Sequence, residues 1–198
     1  MFRRISKIIA IVLILLGVAV FLLRDSRLAA QIRFAGNAHV PSVDADFSNL
    51  HKVVPSKSAS IVEALSGLPH NFSDSEDFVQ ELWHSDNRSI HGYRFYSDPI
   101  ALTDELKQVI HDLFTTQGTF TPYGGPKLCG GYHADFAVRF DDAGQQYWFL
   151  VCLGCHEVLC YAKGEELVIE LESTAYKALV AAWKNNKDAQ QAVHGNTH

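Results

Sequence analysis

The hydrophobic pattern of this chain changes character four times. Ile8 to Leu23 is an unbroken apolar run that stops at Arg24. Residues 24–58 then hold no period, mixing Ser and Asp with Pro41 and Pro55, and read as a stalk. From about residue 59 apolar residues recur with a helical spacing. After the loop Thr121-Pro-Tyr-Gly-Gly-Pro126 the period drops to two, and from Ser173 it becomes helical again. The order of elements this predicts is helices, then an antiparallel meander, then a closing helix, which is an α+β domain over residues 59–184.

The helical part contains three segments. Ser60-Ile-Val-Glu63 has the spacing of a capping box and predicts a short helix stopped by Gly67 and Pro69. Ser73 or Ser75 can cap a second helix carrying Phe78, Val79, Leu82 and Trp83. Thr103 caps the clearest one. Asp104 and Glu105 lie in its first turn, where the helix dipole favours acids, and Leu106, Val109, Ile110, Leu113 and Phe114 form its stripe. That stripe is read as core packing. A short strand is expected at Ile90 to Tyr96.

In Tyr132 to Phe140, Ala134, Phe136, Val138 and Phe140 alternate with His133, Asp135 and Arg139. Asp141 to Gln146 is turn chemistry, and Tyr147 to Leu153 is strand-forming. Pairing Phe140 with Tyr147 sets Val138 against Phe149, Phe136 against Val151 and Ala134 against Leu153. Every pair on that face is then apolar, whereas a one-residue slip would place Arg139 or Asp135 among them. Leu153-Gly154 would be a two-residue turn with Cys155 opposite Cys152, and Cys160 would face the core opposite Tyr147. Val158 to Ala162 and Leu167 to Leu171 supply further strands joined at Lys163-Gly164. Tyr176, Leu179, Val180 and Trp183 mark the last helix, and residues 185–198 read as a polar, frayed tail.

The amino terminus bears on the compartment. Residues 1–7 carry Arg3, Arg4 and Lys7 and no acid, and residues 8–23 span roughly 24 Å as a helix, a little less than a bilayer core. The run closes with Val20-Phe21-Leu22-Leu23, without the small residues of a cleavage site, and Leu28-Ala29-Ala30 is a poor substitute. The reading is an uncleaved single-pass anchor in the inner membrane, with a cytoplasmic tail at 1–7 and residues 24–198 extracytoplasmic or periplasmic. Beyond residue 7 stand all 22 acidic residues and 14 of the 17 basic ones, a formal −8. Nucleic acid is a poor partner for such a surface. The expected partners are the membrane, through residues 8–23, and another protein of unknown kind.

Four cysteines carry the candidate chemistry: Cys129, Cys152, Cys155 and Cys160. The register brings Cys129, His133, Cys152 and Cys155 to one end of a hairpin. Four chemistries suit that group. Disulfides fit an oxidising compartment. Three thiolates and an imidazole make a tetrahedral zinc set of Cys129, His133, Cys152 and Cys155, with Asp135 supporting His133. Cys152-Leu-Gly-Cys155-His156 spells a c-type haem attachment, although it lies among strand formers. Cys152 and Cys155 also have the spacing of a redox dithiol, without the helix N-terminus that usually stabilises its thiolate. No Gly-x-Ser-x-Gly or His-Glu-x-x-His motif is present.

The run from Lys127 to Phe140, followed by Trp148 to Cys155, resembles a loosely defined set of uncharacterised bacterial proteins, several of them secreted or membrane-anchored. In that set a Cys-Gly strand is followed by a strand ending in Cys-x2-Cys. The resemblance spans about residues 90–183, including the helix at Leu102 to Thr116, and implies no known activity. It implies that histidine is not required at the position of His156, which counts against haem, nor at that of His133, which counts against His133 as a ligand. Cys129, Cys152 and Cys155 are the shared part, and the resemblance gives them a structural role. The expectation is therefore a membrane-anchored binding or scaffold domain whose cysteine-rich site is closed by a disulfide or by zinc. No other cofactor and no catalytic residue is assigned. The alternative is a thiol–disulfide or metal-dependent enzyme using Cys152 and Cys155.

Overall fold

The computed structural model describes residues 46–70, 75–125, 127 and 132–195. The expected anchor at 8–23, the tail before it, most of the stalk, and Cys129 lie outside the described residues. No helix among the described residues is long and apolar enough to cross a membrane.

Among the described residues four α-helices and eight strands follow one another: α1 (Leu50–Val53), β1 (Ser60–Gly67), α2 (Ser75–His84), β2 (Asn87–Ile90), β3 (Tyr93–Pro99) and α3 (Asp104–Phe114). Then come β4 (Phe120–Pro122), β5 (Phe136–Asp142), β6 (Gln145–Cys152), β7 (Glu157–Ala162), β8 (Glu165–Leu171) and α4 (Ser173–Gly195). The strands form one antiparallel sheet in the order β2-β3-β1-β5-β6-β7-β8-β4. The α+β class with an antiparallel sheet is thus as the periodicity indicated.

The alternation of β5 and β6 fixes their register. Phe140 pairs with Tyr147, Val138 with Phe149 and Phe136 with Val151. The side chains on this face are fully buried, together with Leu106, Ile110 and Phe114 of α3 and Leu179 of α4. Phe149 sits at the centre, with ring centroids 4.7 Å from Phe114 and 5.8 Å from Phe140. Thr103 Oγ1 accepts the Leu106 N–H and caps α3.

The other face is apolar too. Leu65, Phe95, Ala137, Leu150, Leu159 and Tyr161 form a second core, with Tyr132 and Ala134 against it. Three strands separate β3 from β7, yet His91, in the β2–β3 turn, stacks on Tyr161 of β7 with centroids 3.7 Å apart. Sheets of L-residues twist, and this one coils far enough to close over its second face. The β2–β3, β5–β6 and β7–β8 turns are all two-residue X-Gly turns with positive φ at both positions, the hairpin geometry that suits strand twist.

Four expectations are corrected. Ser60 to Gly67 is a strand, not a helix, because its site between β3 and β5 outweighs local preference. Glu63, the supposed capping-box acid, is instead paired with Arg88 and with Arg139 Nε at 2.7 Å. The strand expected from Tyr132 starts at Phe136, so the Ala134–Leu153 pair does not form. Part of the expected stalk belongs to the folded unit: Leu50, Val53 and Val54 are buried in the main core, and Lys52 meets Glu165 at 2.8 Å.

The tail supplies the fourth correction, since α4 runs on to Gly195. Its polar residues are held by the segment before α3. Asn186 is 1% exposed and its Oδ1 accepts the Thr103 N–H at 2.7 Å, and Gln190 donates to the Ala101 carbonyl. Asn186→Ala leaves the half-buried Thr103 N–H unpaired, and is expected to lower the urea-unfolding free energy by about 1–3 kcal/mol.

Candidate functional site

The β6–β7 connection is wider than its sequence suggests. A two-residue turn at Leu153-Gly154 would force positive φ on Leu153. The chain uses four residues instead, Leu153 to His156, with the positive φ (63°) at His156. Cys152 therefore faces Glu157, not Cys155, and Phe149 faces Cys160. A shift of two residues keeps the parity of the strand. Cys160 accordingly stays on the core face, fully buried as expected, and burial pushes its thiol well above the ordinary value.

Two groups hold the turn. Asp135 Oδ2 accepts the Leu153 N–H at 2.6 Å, and Tyr176 Oη donates to the Leu153 carbonyl at 2.7 Å. The Asp135 backbone is tied on both sides, its N–H to the Val151 carbonyl and its own carbonyl to the Gly67 N–H. Gly67 is needed for this contact, because a Cβ there would fall on the Ala134 carbonyl oxygen. Gly67→Ala is expected to cost about 1–3 kcal/mol of stability, since backbone and not a flexible side chain must yield. Equilibrium unfolding of the variant measures this.

Between the end of β1, β3, α4 and this turn lies a cavity of about 500 Å³. Ser66, His70, Tyr96, His133, Asp135, Cys152, Cys155 and Lys187 bring polar or reactive atoms to its wall. The His70 and His133 rings are tilted against each other with centroids 4.8 Å apart. His133 Nε2 is 3.9 Å from Asp135 Oδ1, too long for a hydrogen bond, so Asp135 serves the turn more directly than it serves His133.

The cysteines differ in state. Cys152 and Cys160 are free thiols. Cys155 is disulfide-bonded. Cys152 is buried, and its Sγ accepts the Cys155 N–H at 3.2 Å and the His133 backbone N–H. Burial raises its pKa above the ordinary thiol value, those two N–H groups oppose the rise, and the Asp135 and Glu157 carboxylates add to it.

The structure thus brings His133, Asp135, Cys152 and Cys155 to one cavity, and Cys129 lies outside the described residues. Among the described residues no group of three His, Cys, Asp or Glu side chains could hold a metal ion. A disulfide sulfur is neither a thiolate ligand nor a thioether, so zinc or haem chemistry at Cys155 would first need reduction. His156 is exposed and stacks on Tyr176 of α4, with centroids 3.5 Å apart. His70, Tyr96 and Lys187 escaped the sequence reading. His70 follows a segment that looked helical and Lys187 lies in the supposed tail, so neither carried a local signal.

Glu157, opposite Cys152, is buried on the second face of the sheet. Its neighbour Glu170 is bound by Lys127 Nζ and the Gly124 N–H, both at 2.7 Å. Burial raises the Glu157 pKa above 4.5, Lys127 opposes the rise and Glu170 reinforces it. A folded carboxyl that keeps its proton to higher pH than the unfolded one makes stability fall as pH rises between the two values. Relative to Glu157→Gln, the native chain is expected to lose stability as pH climbs from 4.5, and to level off once Glu157 is ionised in both states. Urea midpoints of the two proteins across that range give the comparison.

The fold and site define an α+β domain with a coiled antiparallel sheet and a polar, thiol-bearing cavity at one sheet end. No protein-family model matches the chain, and comparison with curated proteins and with solved structures finds no match.

Proposed function

We propose that this protein is a membrane-anchored, extracytoplasmic binding domain, with a structural disulfide between Cys129 and Cys155 fastening the wall of its ligand cavity. The observation that carries the reading is the state of the cysteines around that cavity. Cys155 is already bonded, and Cys152 is a buried free thiol whose pKa burial raises. The chain has four cysteines, of which Cys152 and Cys160 are free, which leaves Cys129 as the partner within the chain. A bonded sulfur and a buried thiol with a raised pKa suit a scaffold better than a nucleophile. The ligand would meet the His70 and His133 rings, which stand together, and also Tyr96 and Lys187.

The test is a thermal-shift screen of the full chain in detergent against small carboxylates, sugars and dipeptides. At least one class is expected to raise the melting temperature of the native chain and to leave a His70→Ala/His133→Ala variant unmoved. A screen in which no class shifts the native chain would contradict a binding role for the cavity.

A second reading has one observation in its favour. Two backbone N–H groups converge on Cys152 Sγ, an arrangement that would hold a thiolate once one formed. That observation favours thiol–disulfide chemistry over metal chemistry as the enzymatic alternative.

A further inference from the structure

We infer that the cleft between the β2–β3 and β7–β8 turns is a saccharide site, which takes one pyranose unit against the ring of Trp148. Among the described residues this cleft shares no wall residue with the thiol-bearing cavity, so it is a second site and goes beyond the reading above. Sheet register builds it. Glu63 pairs with Arg139, Arg139 with Trp148, Trp148 with Tyr161 and Tyr161 with Glu166, and residues paired across strands share a face. One step inward along β6 on that face, Leu150 is fully buried in the second core, and one step outward Gln146 is exposed. Trp148 therefore stands half-buried where that core opens to water. Its neighbours are fixed. The guanidinium carbon of Arg139 lies 5.7 Å from the centre of the Trp148 ring, and Arg139 Nε is held by Glu63 at 2.7 Å. Across the strand Tyr161 is buried, and the His91 ring stacks on it at 3.7 Å. A half-exposed ring between anchored neighbours is preorganised, so a ligand need not order it on binding.

The walls choose the ligand. The volume, about 290 Å³, lies near the lower limit for small-ligand clefts and suits a single ring. Around Trp148 stand His91, Gln146, Lys163, Glu165 and Glu166. Carboxylates accept hydrogen bonds, an ammonium donates them, and an amide does both. The charges oppose one another, because Lys163 shares the wall with the two acids and Lys52 Nζ binds Glu165 at 2.8 Å. An anion would meet Glu165 and Glu166, and a cation would meet Lys163 and the guanidinium already at the Trp148 ring. A flat apolar ligand would cover these polar groups without giving them partners. A neutral pyranose avoids all three penalties. Its C–H bonds present weakly positive hydrogens to the negative face of the indole, and its ring of hydroxyls both donates and accepts.

The experiment is a calorimetric titration of the full chain, held in a detergent without a sugar headgroup. The probes are glucose, galactose, mannose and N-acetylglucosamine, and the disaccharides cellobiose, lactose and chitobiose. At least one is expected to bind saturably. Binding of a monosaccharide assigns the cleft to a free sugar, and binding of disaccharides alone assigns it to the end unit of a glycan. Trp148→Ala should weaken the binding about tenfold or more, and Trp148→Tyr, which keeps a ring, should recover most of it. Gln146→Ala, at an exposed position, should weaken it about threefold or more with an unchanged urea midpoint, which keeps the test open if Trp148→Ala folds poorly. The His70→Ala/His133→Ala chain should bind the sugar as the native chain does, which separates this cleft from the cavity of the proposed function. The inference is overturned if none of the sugars binds saturably, or if binding is undiminished in both Trp148→Ala and Gln146→Ala. Binding that is lost in His70→Ala/His133→Ala overturns it too, by moving the sugar to the other cavity.

Discussion

Replacing Phe149 by alanine is expected to lower the unfolding free energy by about 3–5 kcal/mol, the largest loss any single side chain of the core should produce. Phe149 is fully buried and lies on the central strand pair, where its ring meets Phe114 of α3, Phe120 of β4 and Phe140 of β5. Four elements therefore share one contact point. Truncation removes the apolar area of a whole ring and leaves a void that four rigid elements cannot collapse to fill. Urea unfolding at neutral pH measures the loss. Phe149→Leu, which keeps most of the volume, should recover much of it, and a loss below about 1 kcal/mol in Phe149→Ala would show that the two layers are not packed as described.

Removing the disulfide is the second large effect. The proposed Cys129–Cys155 pairing would close a loop of about 26 residues, and the chain entropy withheld from the unfolded state would be worth about 3.5 kcal/mol. Cys155→Ser should therefore shift the urea midpoint strongly downward. A reductant should weaken the native chain by a similar amount and leave the variant unchanged. Cys160→Ser should behave differently. It places a hydroxyl in an apolar core and costs stability whether or not reductant is present. Equal sensitivity of the native chain and Cys155→Ser to reductant would remove the disulfide from the account.

Much of this architecture was legible because period-two alternation is a strong local signal where one face is buried. Phe136, Val138 and Phe140 against Val151, Phe149 and Tyr147 admit only one register, and the sheet adopts it. Thr103, Asp104 and Glu105 mark the start of α3 just as plainly. Parity also protected the assignment of Cys160, which stays on the core face although the β6–β7 turn is two residues wider than expected.

What escaped the sequence depended on contacts between distant segments. Ser60 to Glu63 has the letters of a capping box, but the slot between β3 and β5 makes it a strand, and Glu63 answers to Arg88 and Arg139 instead. The polar stretch after Lys184 has little reason to be helical alone. It is helical because Asn186 and Gln190 satisfy backbone groups ahead of α3. The turn at Leu153 to His156 is set by a carboxylate 18 residues earlier, Asp135, which no local rule connects to it. His70 and Lys187 reach the cavity by the same kind of long-range placement. The candidate site was thus half readable: its cysteines, His133 and Asp135 were visible as a group, and His70, Tyr96 and Lys187 were not.

The central claim is that one disulfide, made by Cys155, closes this site and leaves Cys152 and Cys160 as thiols. Counting thiols tests it most directly. The full chain is taken from an oxidising compartment, quenched in acid, denatured without reductant and alkylated, and its intact mass and labelled peptides are read. Two adducts are expected, on Cys152 and Cys160, rising to four after reduction. Four adducts without reductant, as a zinc thiolate site would give once unfolded, or none, as two disulfides would give, would contradict it.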